Sequence, residues 1–261
     1  MTDEKAPKRK ARERADVLVA ERGLAESRAR AQRLILAGQI WSGERRVEKS
    51  GELVPSDAPL ELRGGERFVS RGGDKLDGAL EALGVDVRDA TCADIGASTG
   101  GFTDCLLQRG ARRVFAVDVG HGQLADKLRR DPRVVVLERT NARYLSRESL
   151  GDAVDVVVVD ASFIGIEKLL SGIVAVLREG GTLVALVKPQ FEAGRAEAAR
   201  ARGVIRDPTV RDAAIAKARD AIVAAGFEVL GEVDSALKGP KGNRERFVHA
   251  VLGKTIPSGN S

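Results

Sequence analysis

Beyond residue 90, short continuous apolar runs alternate with segments in which apolar residues recur every three or four positions. Such runs are typical of strands buried on both faces of a parallel sheet, and the wider spacing is typical of amphipathic helices. The alternation predicts the α/β fold class, with a Rossmann-like, mainly parallel sheet of seven strands. The predicted strands are residues 91–95, 113–117, 134–137, 154–159, 182–187, 228–233 and 247–252.

The N-terminal segment has a different pattern and predicts a small α+β domain. Helical spacing covers residues 15–21, and a second helix begins after Ser27 and stops at Gly38. Short strands are expected at residues 39–41 and 45–47. The predicted organisation is a basic flexible tail (1–14), this small domain (15–61), a linker (62–69), the large α/β domain (70–254) and a disordered tail (255–261).

A turn of small residues joins the first strand of the large domain to the helix that follows. Gly96, Gly100 and Gly101 let the backbone bend sharply and approach a ligand, and the first N–H groups of the helix are free to donate. No lysine follows these glycines, so a phosphate-gripping loop is disfavoured. Asp118 ends the next strand at the distance expected of a ribose-binding carboxylate, so we expect the ligand to carry a ribose. An ordinary turn whose glycines serve only packing is the alternative.

Polar residues stand at the carboxyl ends of the predicted strands, where ligands bind in sheets of this type. A further lysine, Lys75, is predicted in the first turn of a helix over residues 74–83, where the helix dipole disfavours a cation and so indicates another use. Lys188 directly follows the predicted strand at residues 182–187, and the alternative for it is an ordinary exposed side chain. The strand-end candidates are Asp94 with the turn, Asp118, Asn141, Asp160 and Lys188, and Glu245 enters from the loop before the last strand.

Composition restricts the class of partner. The 261-residue chain has a net charge of +5 and an isoelectric point of about 9.4, which favours a polyanion. Aromatic residues make up only 3%, so recognition by charge and shape is favoured over base stacking. The two cysteines and two histidines form no cluster, so neither a disulfide framework nor a metal site is expected. No secretion signal or membrane-spanning run is found, and we expect a cytoplasmic protein.

Arginines are concentrated in the second helix and the strands after it, with five arginines against two acids in residues 25–46. The stretch SRARAQRLILAGQIWSGERRVEKSGELV resembles the small RNA-binding domain first described in the fourth protein of the ribosomal small subunit. An amphipathic helical hairpin with solvated arginines is the alternative. The resemblance implies RNA binding through Arg28, Arg30, Arg33, Arg45 and Arg46.

Five motifs of the large domain resemble one enzyme family. SRGGDKL, DIGASTGGFTD, VVVVDASF, LVKPQFEAG and GPKGNRERF resemble the TlyA family of S-adenosyl-L-methionine-dependent RNA 2'-O-methyltransferases, whose catalytic domain is similar to that of FtsJ-like enzymes. The resemblance implies a Lys-Asp-Lys-Glu tetrad at Lys75, Asp160, Lys188 and Glu245. It also implies that the substrate is a ribose, that of cytidine, in ribosomal RNA or ribosomal subunits. Arg246 departs from the aromatic residue that relatives carry at this position.

The resemblance also implies where S-adenosyl-L-methionine binds. Asp118 is expected to hold the ribose hydroxyls, the glycine turn the methionine end and Asn141 the adenine region. The expected cofactor-binding residues are Asp94, Gly96, Ser98, Thr99, Gly100, Gly101, Phe102, Asp118, Val119 and Asn141.

The chemistry of ribose methylation explains the need for such a tetrad. A 2'-hydroxyl is a poor nucleophile at neutral pH, so a base must remove its proton as it attacks the sulfonium methyl group in line. In general a lysine accepts a proton only when burial or a second cation lowers its pKa. We expect Lys188 to be the base or to orient the hydroxyl, with Lys75 beside it to balance the charge. Asp160 and Glu245 are expected to orient the amines.

Three other functions are compatible with parts of the sequence. Residues 96–100 match the G-x-S-x-G nucleophile elbow of α/β-hydrolases, and Asp160 and His249 follow in triad order, although His249 falls inside an apolar run. A non-catalytic RNA-binding or ribosome-assembly factor would need the small domain but not the tetrad. A haemolysin, a label that the TlyA family has carried, would need an amphipathic or spanning segment that the sequence does not offer.

Overall fold

The computed structural model describes residues 11–63, 67–194, 203–239 and 241–253. The chain divides into two compact units, residues 1–67 and 68–261.

The N-terminal unit contains two small antiparallel sheets. Strand β1 (Arg12–Arg14) pairs with β4 (Leu53–Pro55), and β2 (Ile40–Ser42) lies between β3 (Arg45–Arg46) and β5 (Leu60–Leu62). The predicted flexible tail includes the residues of β1, but the backbone hydrogen bonds to β4 order them instead.

Two helices, α1 (Ala15–Glu21) and α2 (Arg28–Leu36), pack on the core of this unit. The Ser27 side chain accepts a hydrogen bond from the backbone N–H of Arg30 at 3.2 Å and caps α2. Gly38 follows the helix with φ +74°, a conformation that glycine adopts without steric cost. The predicted start and stop of this helix are thus found at the expected residues.

The segment predicted as a linker, residues 62–69, is bounded by ordered structure at both ends. Leu62 is the last residue of β5, and Phe68 is 1% exposed in the core of the second unit. Residues 1–10 of the predicted N-terminal tail (1–14) and the predicted C-terminal tail (255–261) lie outside the described residues.

The second unit is built on a seven-stranded sheet with the order β11-β12-β10-β9-β6-β7-β8. The strands from β10 to β8 in this order are parallel, and β12 runs antiparallel to both of its neighbours. The predicted α/β class with a mainly parallel sheet is confirmed. These strands are β6 (Thr91–Ile95), β7 (Arg113–Val117), β8 (Val134–Leu137), β9 (Val154–Val159), β10 (Leu177–Val187), β11 (Phe227–Asp234) and β12 (Arg246–Leu252).

Helices cover both faces of the sheet and bury a core on each side. They are α3 (Arg71–Ala82), α4 (Gly101–Gln108), α5 (Asp126–Arg129), α6 (Arg147–Leu150), α7 (Leu170–Val176), α8 (Pro189–Glu192) and α9 (Pro208–Ala224), with 3-10 turns at Ala142–Tyr144 and Ile166–Lys168. Helices α3, α4 and α5 bury Leu80, Leu106 and Leu128 against one face. Helices α6, α7 and α9 pack on the other face through a separate apolar cluster.

The largest departures from the predicted bounds are at the start of α3 and at the start of β10. Helix α3 begins at Arg71 because the Ser70 side chain accepts a hydrogen bond from the Gly72 N–H at 3.3 Å, so Lys75 lies in the second turn and not the first. The strand predicted at residues 182–187 is longer in the structure, because β10 starts at Leu177, directly after α7. A register shift against β9, with Gly180 at φ +68°, lets the strand continue through Gly180 and Gly181.

Candidate active site

The carboxyl ends of β6 and β9 lie side by side where the chain changes direction across the sheet. From β6 the chain adds β7 and β8 on one side, and from β9 it adds β10 on the other, which opens a crevice for a ligand. Gly96, after β6, has φ +85°, and a Cβ atom there would fall 2.8 Å from the carbonyl oxygen of Asp160, after β9. A glycine is therefore required for the two loops to approach this closely.

A cavity of about 950 Å³ lies in this crevice. All four residues of the expected tetrad line it, and so does most of the glycine turn, which means that the proposed catalytic and cofactor groups share one space. The residues concerned are Lys75, Asp160, Lys188 and Glu245, with Gly96, Ser98, Thr99, Gly101 and Phe102 from the turn.

Lys75 and Glu245 form a buried ion pair. The Lys75 Nζ donates to Glu245 Oε2 at 2.6 Å, and the two residues are 8% and 1% exposed. Helix α3 brings Lys75 to the site by packing closely on α4, where a Cβ atom on Gly101 would fall 2.2 Å from Ser70 Oγ. On the other side of the pair, a Cβ atom on Gly239 would fall 2.5 Å from Glu245 Oε1. Glycines thus make room for the lysine and for the carboxylate.

Lys188 forms a second ion pair at the end of β10. Its Nζ lies 2.6 Å from Asp160 Oδ1 and donates a hydrogen bond to Ser162 Oγ at 2.9 Å. Lys188 is 9% exposed and precedes Pro189, the first residue of α8, whose fixed φ helps define the direction of the chain. The amine is therefore held by two groups from the loop after β9.

The tetrad consequently consists of two ion pairs and not of two ammonium groups in direct contact. Lys75 was predicted to balance the charge of Lys188, but its partner is Glu245. Each lysine has one carboxylate beside it, so each amine is held in place by a counter-charge supplied by the fold.

The glycine turn combines a strained residue with a packing residue. Ser98 has φ +50°, a conformation uncommon for a non-glycine residue, and its backbone N–H donates to Asp118 Oδ2 at 2.8 Å. Gly100 has φ +95°, and a Cβ atom there would fall 2.2 Å from Leu128 Cδ1. Gly100 is thus packed against the core, whereas its neighbours in the turn face the cavity.

Asp94 lies behind the turn and not in the cavity lining. It is fully buried, and the Thr103 hydroxyl donates to its Oδ2 at 2.7 Å. Burial is the main cause that raises the pKa of Asp94 to about 7, and the nearby Asp160 carboxylate adds to the effect. The side chain supports the start of α4 through Thr103.

Asp118, Val119 and Asn141 lie at the neighbouring strand ends, outside the lining of the cavity. The Asp118 carboxylate accepts from the N–H groups of Ser98 at 2.8 Å and Gly120 at 2.6 Å, which leaves a lone pair on each oxygen for a hydroxyl. Asn141 is exposed and its side chain accepts from the Arg143 N–H, while Val119 is 70% exposed. A turn with no room for a Cβ atom at Gly96, together with a carboxylate that directly follows a strand, fits a ribose-bearing cofactor.

The five arginines predicted to bind RNA have different environments within the N-terminal unit. Arg28 Nε donates to the fully buried Asp16 at 3.0 Å, and Arg45 pairs with Glu52. The hydrogen bond from Arg14 is the main cause that holds the pKa of Asp16 well below its usual range. The Arg46 guanidinium packs over Gly38. Of the predicted set, Arg28 and Arg45 therefore also stabilise the unit, and Arg30 and Arg33 lie between the buried positions of α2.

Sequence reasoning does not identify three groups around the tetrad. The first is Ser162, whose hydroxyl contacts Lys188. The second is Phe163, which has φ +66°, is 91% exposed and lines the cavity, with its ring centroid 5.3 Å from that of Phe191. Glu192 is 6% exposed and accepts from the Ile166 N–H at 2.8 Å. The position of these residues just after Asp160 and Lys188 is the signal that could have indicated them.

The geometry gives no support to a hydrolase triad. The Ser98 hydroxyl bonds to Gln123 Oε1 at 3.3 Å, and His249 lies within β12 opposite Val184 and Gly231. In the described part of the chain, no group of histidines, cysteines and carboxylates is placed to hold a metal ion. No helix within the described ranges has the length and apolar character needed to cross a membrane.

Each of the two units matches a known protein family. The family model of FtsJ-like methyltransferases matches residues 68–251, and that of the S4 domain matches residues 13–58. The chain is 45% identical over 239 residues to the "16S/23S rRNA (cytidine-2'-O)-methyltransferase TlyA" of Mycobacterium tuberculosis, covering 91% of this chain and 89% of the relative. It is 40% identical over 240 residues to "Hemolysin A" of Brachyspira hyodysenteriae, covering 92% of this chain and 100% of the relative.

A solved structure from Streptococcus thermophilus, provisionally described as a hemolysin, is 39% identical with a TM-score of 0.72 and covers 95% of this chain and 92% of its own. Both the N-terminal and the C-terminal units are therefore represented in the relatives. The chain belongs to the FtsJ-like methyltransferase family, in the TlyA group that joins this domain to an N-terminal S4 domain.

Proposed function

We propose that this protein transfers a methyl group from S-adenosyl-L-methionine to the ribose 2'-oxygen of a cytidine in ribosomal RNA. The observation that carries the proposal is the pair of buried lysine–carboxylate contacts that face one cavity beside the glycine turn. The name of the Mycobacterium tuberculosis relative supports ribosomal RNA and cytidine as the substrate. Action on ribosomal RNA implies a cytoplasmic location.

The cofactor would be held by the loops after β6, β7 and β8. The turn from Gly96 to Phe102 would take the methionine end, Asp118 the ribose hydroxyls and Asn141 the adenine region, with Asp94 supporting the turn from behind. When bound, S-adenosyl-L-methionine supplies a methyl group activated by the sulfonium charge.

Lys188 is the better candidate for the base. Its partner Asp160 contacts Gly96 through the backbone, which places the Lys188–Asp160 pair next to the turn proposed for the cofactor. The Lys188 amine would lose its own proton to solvent before the reaction and then take the proton of the 2'-hydroxyl, which would restore the ion pair with Asp160 that the structure shows. The Lys75–Glu245 pair would orient the ribose hydroxyl from the other wall of the cavity.

The experiment incubates the full chain with ribosomal subunits and tritiated S-adenosyl-L-methionine and maps the label by nuclease protection of the recovered RNA. Wild-type protein should label one ribose in a subunit, and Lys188→Ala should lose the label while it still binds the cofactor. Cofactor binding without label in any ribosomal RNA would contradict the proposed substrate. Absence of cofactor binding would contradict the methyl-transfer reaction itself.

A non-catalytic RNA-binding role is the remaining alternative. It predicts that Lys188→Ala and wild-type protein support ribosome assembly equally, so the same variant separates the two functions.

A further inference from the structure

Three lysines from three different elements meet at the mouth of the active-site cavity. Lys168 ends the 3-10 turn Ile166–Lys168, Lys217 lies on α9, and Lys241 lies in the loop before β12. All three are exposed and all three line the cavity that contains the tetrad.

These lysines lie on one side of the boundary between β6 and β9, where the chain changes direction across the sheet. They come from elements that follow β9 and β10 or precede β12, whereas the groups proposed for the cofactor follow β6, β7 and β8. The two halves of the sheet meet where Gly96 contacts Asp160. A substrate chain that approaches over the β9–β10–β12 half would therefore reach Lys188 without displacing the cofactor.

In the described ranges no carboxylate forms an ion pair with any of these three lysines. Lys217 donates to the Glu192 carbonyl oxygen at 3.4 Å, and its charge also acts on the buried Glu192 carboxylate. Other basic residues of the same unit are paired, as Lys127 with Asp104 at 2.8 Å and Arg109 with Asp77 at 2.6 Å. Unpaired cations grouped at a cavity mouth attract an anionic ligand.

The other charged residues that line the cavity also favour an anionic ligand at its mouth. Two of its carboxylates, Asp160 and Glu245, are neutralised by Lys188 and Lys75, and the Glu192 carboxylate is buried under Ile166. Among the described residues that line the cavity, the remaining acid, Glu167, is exposed. Four cations of the lining are exposed as well: Arg71, Lys168, Lys217 and Lys241. The mouth is therefore net positive.

We propose that Lys168, Lys217 and Lys241 bind the backbone phosphates on either side of the nucleotide that is methylated. This inference rests on the proposed function and adds the path of the RNA strand, which would run over the β9–β10–β12 half of the domain. A nucleotide within a chain carries a phosphate on each side of its ribose. When its 2'-hydroxyl reaches Lys188, these phosphates remain at the mouth of the cavity, where charge and not base identity is recognised.

The test measures binding of a short fluorescent oligocytidylate to the full chain as a function of salt concentration. Each phosphate contact to a single strand contributes about 0.7 to the slope of log K against log salt, so Lys168→Ala/Lys217→Ala/Lys241→Ala should lower the slope by about 2 and weaken binding at least about tenfold at low salt. Affinity for S-adenosyl-L-methionine should not change. Replacing the same three lysines by arginine should keep the slope.

Arg219→Ala is the matched control. Arg219 lies on α9 two residues from Lys217, contacts Asp220 at 3.6 Å and does not line the cavity. This variant should bind as wild type does. An unchanged slope in the triple alanine variant, or an equal loss per charge in Arg219→Ala, would overturn the proposal.

Failure of this inference differs from failure of the proposed function. The oligocytidylate measurement does not require methyl transfer, so wild-type protein that labels no ribose contradicts the reaction alone. Wild-type protein that labels a ribose, together with a triple variant of unchanged salt dependence, contradicts only the phosphate contacts.

Discussion

Gly96 and Asp160 are in backbone contact at the adjacent carboxyl ends of β6 and β9, because the position that a Cβ atom of Gly96 would occupy lies 2.8 Å from the carbonyl oxygen of Asp160. The turn proposed for the cofactor and the loop that carries one tetrad carboxylate are therefore fixed relative to each other. Reactions that bring two bound groups together in line depend strongly on such fixed positions.

Gly96→Ala should separate these loops and slow methyl transfer. A displacement of about 1 Å costs roughly a hundredfold in rate, and this is the loss that we expect in kcat. Gly226→Ala is the control, since Gly226 has φ +94° but no heavy atom within 4 Å of an added Cβ atom. It should cost about 1 kcal/mol of stability and no activity. Equal kinetic effects in the two variants would show that the contact with Asp160 is not important.

Breaking the Lys75–Glu245 pair should destabilise the fold as well as stop the reaction. Glu245→Ala leaves a buried ammonium group without its partner and should reduce the free energy of unfolding by about 3 kcal/mol. Lys75→Met/Glu245→Leu removes both charges and should recover most of that stability without recovering activity. Chemical denaturation measures the first effect and methyl transfer the second. A double variant as unstable as the single one would contradict this reading of the pair.

Asp94 should make stability depend on pH. Its pKa in the folded protein is about 7 against 3.8 for an unperturbed aspartate, so the stability that the neutral carboxyl contributes is fully present below pH 4 and is lost as pH rises towards 7. Relative to Asp94→Asn, wild-type protein should therefore lose about 4 kcal/mol across this window. Urea denaturation at several pH values measures the difference. A constant difference between the two proteins would mean that Asp94 ionises normally in the folded state.

Ser162 should affect the reaction through Lys188. Ser162→Ala removes the hydrogen bond of 2.9 Å to the amine, and we expect kcat to fall by up to about tenfold, which corresponds to one hydrogen bond. Ser162→Thr keeps the hydroxyl and should retain most of the activity. The affinity for the cofactor, measured by calorimetry, should be the same in all three proteins. A wild-type pH–rate profile and kcat in Ser162→Ala would exclude this role.

The regular elements of the large unit follow from local sequence. Largely apolar runs, each flanked by polar or glycine-containing turns, predicted the bounds of β6, β7, β8 and β9 to the residue. Bounds at glycines were predicted less well. Gly72 and Gly73 look like a helix break but lie within α3, where a Cβ atom on Gly73 would overlap Phe68. Such close packing is a tertiary effect without a local signal.

The members of the candidate site could be named from motifs, but not their pairing. Lys75 and Glu245 are 170 positions apart, and only the fold decides that they pair with each other and leave Lys188 to Asp160. The burial of Asp16 was also not predicted. Sequence spacing alone does not distinguish a buried carboxylate that pairs with several arginines from an acid on the surface.

The identity of the methylated atom tests the central claim most directly. Ribosomal RNA treated with the protein and S-adenosyl-L-methionine should be digested to nucleosides and separated by mass spectrometry. We predict 2'-O-methylcytidine from wild-type protein and none from Lys188→Ala at equal cofactor occupancy. A methyl group on a base, or equal 2'-O-methylation by the variant, would contradict the assignment of the tetrad to ribose methylation.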